Sequence, residues 1–283
     1  MAYQSIQVSV DADIAHITLH RPDKRNAMNL DFWREFPEAI RDIENHCRAR
    51  VIILSGEGSM FSSGMDLSVF MSPDSSLISG DPGRRSENLR RTVLQLQAIF
   101  TQLQETRIPV LAAVHGGCIG GALNLVCACD CRYATEDAYF SVKETRLGMT
   151  ADLGVLQRLP HQLSEGLVRE LAYTGRKLSA REALARGFIN QLFPDKERML
   201  AHVMDIARQI VANSPLAVAG SKEMLNFSRD HSVTDSLKYM ATWQSGMFQP
   251  NEMMKAFQAN VQKQPADFDD LWPVTPPLSQ DES

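Results

Sequence analysis

Val110–Val114 (VLAAV) is a continuous apolar run of strand length that leads directly into HGGCIGGALNLVCACDC, a glycine cluster followed by a helix-like apolar stretch. A run without polar alternation suits a strand covered on both faces, as parallel strands in α/β proteins are. Val51–Leu54 (VIIL) is a second run of this kind, and it too empties into a Gly/Ser-rich loop, SGEGSMFSSGMDLSVF. Strand, glycine loop and helix in repeated succession imply right-handed crossovers and an α/β layer structure. The segment Ile108–Leu159 is the centre of the chain on this reading, because Asn124, Glu144 and Asp152 follow its glycines at intervals.

The flanking segments fit the same class. Residues 3–20 alternate in polarity around Asp11–Asp13, which predicts two strands joined by a tight turn. A turn-rich loop, HRPDKRNAMN, precedes a helix from about Leu30 to His46 with Asn29 as N-cap. Pro73–Arg85 is rich in Ser, Gly and Pro and reads as a mobile insert before a helix over 87–104. Beyond Pro160 the pattern is mainly helical: Leu163–Tyr173, then Ser179–Gly187 with Ser179 and Glu182 as a capping box, then a short extended FINQLFP. Four more helices are predicted over about 196–213, 215–230, 234–245 and 251–261, followed by a Pro-rich tail that is extended or frayed. We expect a core over residues 1–200 and a helical region with tail over 201–283.

Composition bears mainly on what the chain does not do. A formal net charge of -5 with scattered basic residues argues against a nucleic-acid partner. No apolar run approaches the roughly 20 residues needed to span a bilayer. The N-terminal stretch carries early acids and no signal-peptide core, and the C-terminal Gln-Asp-Glu-Ser is not a peroxisomal tripeptide, so a cytoplasmic protein is expected. The C-x-C-x-C run at Cys127, Cys129 and Cys131 has neither the spacing nor the histidine partner of a metal site and reads as buried apolar filling. GGCIGG matches the dinucleotide fingerprint only loosely, and no acidic residue completes it.

FSSGMDL, HGGCIGGALNLVCACDCRYA and FSVKETRLGMTADLGVLQRLP together resemble the enoyl-CoA hydratase/isomerase (crotonase) superfamily, and YTGRKLSAREALARGFINQLFPD and SPLAVAGSKEMLNFSRDHSVTDSLKYMATW extend the resemblance over about residues 5–262. Within it the chain is most similar to the Δ3,5-Δ2,4-dienoyl-CoA isomerases, through VKE, ADLG, LQRLP, SRDHSV and YMATW. The resemblance implies a spiral of ββα units with a helical C-terminal region that trimerises, often as a dimer of trimers. It also implies an acyl-CoA thioester as substrate, with no cofactor and no metal.

The same resemblance implies roles for particular residues. The backbone N–H groups of Met65 and Gly121 form an oxyanion hole; read by themselves, those glycine clusters are turn formers. Preorganised N–H donors stabilise charge that appears on a thioester oxygen, and glycine lets backbone approach that closely. Glu144 exchanges a proton with the substrate carbon chain, where the bland reading is a surface Glu beside Lys143. Asp152 is the second proton-transfer group, against an ordinary helix N-cap. Lys24 and Arg25 match the region that meets coenzyme A phosphates, Ser63 and Asp66 flank the first donor, and Lys222 is either a phosphate contact or a helix-surface lysine.

Asn124 departs from the pattern, since the dienoyl isomerases place an Asp there and the hydratases a Glu. An amide takes no proton at neutral pH but can bond a substrate or a water. Hydration by two cooperating carboxylates is therefore disfavoured, and double-bond isomerisation by Glu144 and Asp152 is expected. A Δ3-Δ2-enoyl-CoA isomerase using Glu144 alone and a non-catalytic acyl-CoA binder are the alternatives. A serine hydrolase is set aside, because there is no G-x-S-x-G elbow.

Overall fold

Turn chemistry starts the fold. Ala12 and Asp13 both take left-handed backbone angles (φ 46 and 61), the geometry that folds a two-residue hairpin, so β1 (Ile6–Asp11) returns as antiparallel β2 (Ile14–Leu19). A computed structural model describes residues 3–70 and 81–274. Asn29 caps α1 (Leu30–Asn45) by accepting the Phe32 N–H, and the buried stripe of Phe32, Phe36, Ile40 and Ile43 faces the core. The apolar runs become β3 (Val51–Gly56) and β4 (Val110–Val114), connected through α2 (Pro82–Glu105). The expected insert lies outside the described residues over 73–80. From Pro82 the chain is already helical, earlier than its polarity suggested, because Asp81 caps the Gly83 and Arg84 N–H groups.

From β4 the chain turns sharply into β5 (Gly117–Ile119) and α3 (Gly121–Cys127), then β6 (Cys131–Thr135) and β7 (Tyr139–Ser141). A short α4 (Val155–Arg158), α5 (Glu165–Thr174), β8 (Leu178–Ser179), α6 (Ala180–Ala185) and β9 (Gln191–Phe193) follow. The main sheet has the order β1-β2-β3-β4-β6-β9, parallel beyond the first hairpin, and β5-β7-β8 form a second, smaller sheet. Successive turns thus leave one strand in the large sheet and the next in the small one (β4 then β5, β6 then β7), a spiral of the kind the sequence resemblance implies. Ser179 caps α6 as expected, but only half of the capping box forms, because the Glu182 carboxylate is drawn away to Arg176.

The all-apolar strands have a direct physical cause. Along β3 and β4, Ile52, Leu54, Val110, Ala112 and Val114 face the helices of the main core. Val51, Ile53, Leu111 and Ala113 face the other way, onto Met199, Val203 and Ala207 of α7 (Lys196–Val211). Both faces are dry, and each large aliphatic side chain so buried contributes about 1.5–3 kcal/mol. The expected domain boundary at residue 200 therefore falls inside a helix that completes the core. Cys127 and Cys129 lie in this interior with their thiols pushed up to about 12 by burial, which keeps them protonated and apolar.

The remaining helices are α8 (Pro215–Phe227), α9 (Val233–Met247) and α10 (Pro250–Gln262). The chain beyond them is extended and tied down as far as Val274. Arg50 bonds Asp270 and the Phe268 carbonyl, and the Val274 N–H donates to the Asn45 carbonyl at 3.0 Å. Lys222 is buried. Its Nζ donates to the Leu103 and Ile108 carbonyls at 2.8 and 2.9 Å and lies 2.9 Å from Asp130, so it is neither a surface lysine nor a phosphate contact. Among the described residues, no helix is long and apolar enough to cross a membrane.

Because Lys222 satisfies two carbonyls and one carboxylate in a buried setting, Lys222→Ala is expected to lower the unfolding free energy by about 3 kcal/mol in urea titrations. The KM of the folded fraction is expected to stay unchanged.

Candidate active site

Two lengths of backbone meet beside the small sheet. Ser62 pairs with Cys118 across an isolated bridge, with the Ser62 N–H donating to Gly117 at 3.0 Å and the Ile119 N–H donating to Ser62 at 3.2 Å. Two residues beyond Ser62, Gly64 has φ +88, and a Cβ there would lie 2.4 Å from the Ile119 carbonyl oxygen and 3.0 Å from the Gly121 nitrogen. Only glycine allows that approach. The loop before it is shaped by a buried residue that no sequence motif flagged. Asn26, in left-handed backbone at φ 53, lies with Nδ2 within 3.0 Å of the Glu57, Met60 and Phe61 carbonyls, and its own carbonyl accepts from Ser62 Oγ.

The bridge between Met28 and Met65 sets the direction of the first donor. The Gly64 carbonyl and the Asp66 N–H are both spent on Met28, so the alternation of extended backbone turns the intervening Met65 N–H to the opposite side. That side faces Gly121, whose Cβ position would be 3.4 Å from the Met65 nitrogen. Gly121 is the first residue of α3 and has no intrahelical acceptor. Among the described residues neither N–H has a hydrogen-bond partner, and both residues line a cavity of about 840 Å³.

Glu144 opens a 3-10 turn directly after β7 and lines the same cavity. Its Oε1 accepts from Asn124 Nδ2 at 2.9 Å, while Oε2 is buried without a partner. Burial pushes the Glu144 carboxyl above its usual range, and the negative charge of Asp152 adds to the shift. Asp152 also lines the cavity, and the protein around it raises its pKa in the same way. It is no helix cap: Gly154 holds that position for α4, and the Val155 N–H goes to Asn124 Oδ1 at 2.7 Å. Gln97 of α2 fixes the Asp152 backbone by donating to its carbonyl at 2.6 Å.

Asn124 requires a correction. It was expected to meet substrate or water, but it is fully buried, outside the cavity lining, and both its nitrogen and its oxygen are committed inside the protein. The reason is its place one helical turn into α3, underneath Glu144 rather than beside the cavity. Ser63 and Asp66 do line the cavity. Asp66 is held by Ser68 and by Arg21 at 3.1 Å, and these contacts keep its carboxyl below the usual range. Lys24 and Arg25 stand exposed just outside the wall formed by Ala27 and Ser63, with the Arg25 carbonyl bonded to the Ser63 N–H. Sequence reasoning missed the cavity's apolar wall of Leu67, Leu89, Leu147 and Met149, along with Lys143. Large apolar side chains scattered in polar segments were the available signal.

The enoyl-CoA hydratase/isomerase family profile matches residues 9–271. A mitochondrial Delta(3,5)-Delta(2,4)-dienoyl-CoA isomerase of Rattus norvegicus is 46% identical over 263 residues, covering 92% of this chain and 80% of the relative. A peroxisomal one of Arabidopsis thaliana is 41% identical over 271 residues, covering 94% and 98%. Among solved structures, an enoyl-CoA hydratase from Bacillus anthracis superposes with a TM-score of 0.82 at 27% identity, covering 95% of this chain and 99% of that one. The expected cytoplasmic location is overturned by these relatives, which are named mitochondrial and peroxisomal. Compartment is written in short signals that receptors read, and composition carries little of it.

The Glu144 shift also predicts a stability effect. Its folded pKa lies above the unfolded value, so its contribution is fully present below the unfolded pKa and is lost as pH rises through the folded one. Glu144→Gln is therefore expected to raise the calorimetric Tm at neutral pH by about 2 °C, with the gain vanishing in acid and turnover abolished.

Proposed function

The chain belongs to the enoyl-CoA hydratase/isomerase family, and from that premise we propose that it is a double-bond isomerase converting 3,5-dienoyl-CoA thioesters to the 2,4-isomers. One observation carries this reading. Two carboxyl groups, both raised above their usual range, line the same cavity as two unpartnered backbone N–H groups.

The steps follow from that arrangement. The thioester oxygen sits against the Met65 and Gly121 N–H groups, which lowers the cost of taking a proton from C2. An ionised carboxylate removes that proton, and the electron pair spreads from C2 over the oxygen, C4 and C6. The other carboxyl group, starting protonated, returns a proton at C6, leaving double bonds at C2 and C4. Two acids with raised pKa in one cavity suit this division, one acting as base and the other as acid. Glu144 and Asp152 take these two roles. Leu67, Leu89, Leu147 and Met149 supply apolar surface for the acyl chain. Lys24 and Arg25 are the cations for the coenzyme A phosphates, and Ser63 and Asp66 border the thioester arm. The chemistry calls for no cofactor or metal.

A monoene isomerase needs only one of the two acids, so Asp152 separates the two activities. In an ultraviolet assay, Asp152→Asn is expected to lose conversion of a 3,5-dienoyl-CoA by about 10²-fold or more while retaining much of any 3-enoyl-CoA isomerisation. Equal loss on both substrates would argue against the two-acid scheme, and absence of turnover by the unaltered protein would leave an acyl-CoA binder.

We further propose assembly as a homotrimer or a dimer of trimers. Support comes from α9 and α10, where Val233, Leu237, Phe257 and Val261 are 77%, 65%, 64% and 69% exposed, too much apolar surface for an isolated chain in water. Light scattering is expected to give three or six times the chain mass; a monomer would sink this assignment.

A further inference from the structure

We infer that Asn124 is a positioning residue that joins the Gly121 donor, Glu144 and the Asp152 segment through one amide that exchanges no proton. The inference rests on the isomerase reading above.

Three contacts carry it. Asn124 Nδ2 donates to the Gly120 carbonyl at 3.0 Å and to Glu144 Oε1 at 2.9 Å, and Oδ1 accepts the Val155 N–H at 2.7 Å. The orientation of the amide is fixed by chemistry, because a carbonyl needs the NH₂ side and an N–H needs the oxygen. Each contact restrains a different part of the site. The Gly120 carbonyl belongs to the same planar peptide unit as the Gly121 N–H, and in a trans peptide the two point in opposite directions. Holding the carbonyl toward α3 therefore holds the N–H toward the cavity and polarises it. The bond to Oε1 leaves Oε2, buried and without a partner, as the Glu144 oxygen not committed within the protein. The Val155 bond anchors the chain three residues after Asp152, while Gln97 holds the Asp152 carbonyl from the other side.

An acid at position 124 cannot reproduce this. Ionised, it sets a carboxylate oxygen against two acceptors, the Gly120 carbonyl and Glu144. Protonated, it has one O–H for the two acceptors that the amide NH₂ serves together. The amide serves both, so position 124 adds no further carboxyl group beside Glu144. The other titratable groups facing Glu144 are Asp152, from the loop before α4, and the Cys127 thiol of α3, which burial holds at about 12. Lys143 is the chain neighbour of Glu144 and lines the cavity.

The test compares Asn124→Asp, which keeps the shape, with Asn124→Ala, both checked for native circular dichroism. For Asn124→Asp, the acidic limb of kcat/KM on a 3,5-dienoyl-CoA is expected to move up by about one pH unit, since a new acid beside Glu144 raises the pair. For Asn124→Ala, kcat is expected to fall about 100-fold with KM within roughly threefold, the signature of misaligned rather than missing groups. An unmoved pH profile in Asn124→Asp, or an unchanged kcat in Asn124→Ala, would overturn the inference. A readout independent of turnover is the infrared titration of the carboxyl band that disappears in Glu144→Gln. Its midpoint is expected to rise in Asn124→Asp, and no rise overturns the positioning role. A rise in a protein that turns over no dienoyl-CoA would uphold the role and sink the isomerase reading instead.

Discussion

The approach of the 62–66 backbone to the 117–121 backbone is the constraint on which the rest of the site depends. Each segment leaves a different strand of the main sheet, and the two are stitched at Ser62 and Cys118 before they separate around the cavity. A side chain on Gly64 would collide with the Ile119 carbonyl, so the two donors can lie together only where a residue without Cβ occupies that position. Upstream, the buried side chain of Asn26 collects carbonyls from three residues and so holds the loop in the shape that brings Gly64 there. The oxyanion-hole geometry is thus a product of backbone packing, and the sheet below it, dry on both faces, is what makes the packing rigid.

Around that frame the chain accepts an electrostatic cost. Glu144 keeps one oxygen buried and unpartnered, and Asp152 is held close enough to oppose its ionisation. Lys222, buried elsewhere, finds two carbonyls and Asp130, and Arg50 binds the extended tail. A buried carboxylate oxygen without a partner in this cavity marks a place where stability has been exchanged for reactivity.

Much of the fold was legible because its signals are local. The hairpin at Asp11–Asp13, the Asn29 cap and the two apolar strands depend on residues adjacent in sequence, and each formed as expected. Where a second partner arrived from far away, the local reading failed. Glu182 left its capping box for Arg176, Lys222 went inside to reach Leu103, Ile108 and Asp130, and the supposed boundary at residue 200 sits within a helix that seals the sheet. Asn26 gave no signal at all, because an asparagine in a turn-rich loop is ordinary until its distant carbonyls are seen.

The sequence by itself determined the layered α/β class, the family, and the residue types capable of the chemistry: glycines where backbone must approach, and carboxylates at 144 and 152. Those properties follow from periodicity, apolar runs and short motifs, all written along the chain. Only the tertiary structure decided which side chains face the cavity and which support it. Asn124 and Glu144 are both polar residues near the glycine cluster, yet one lies beneath the other, with its amide bonded to Gly120, Glu144 and Val155. The direction of a side chain depends on contacts 20 to 31 residues distant, and those exist only once the chain has folded.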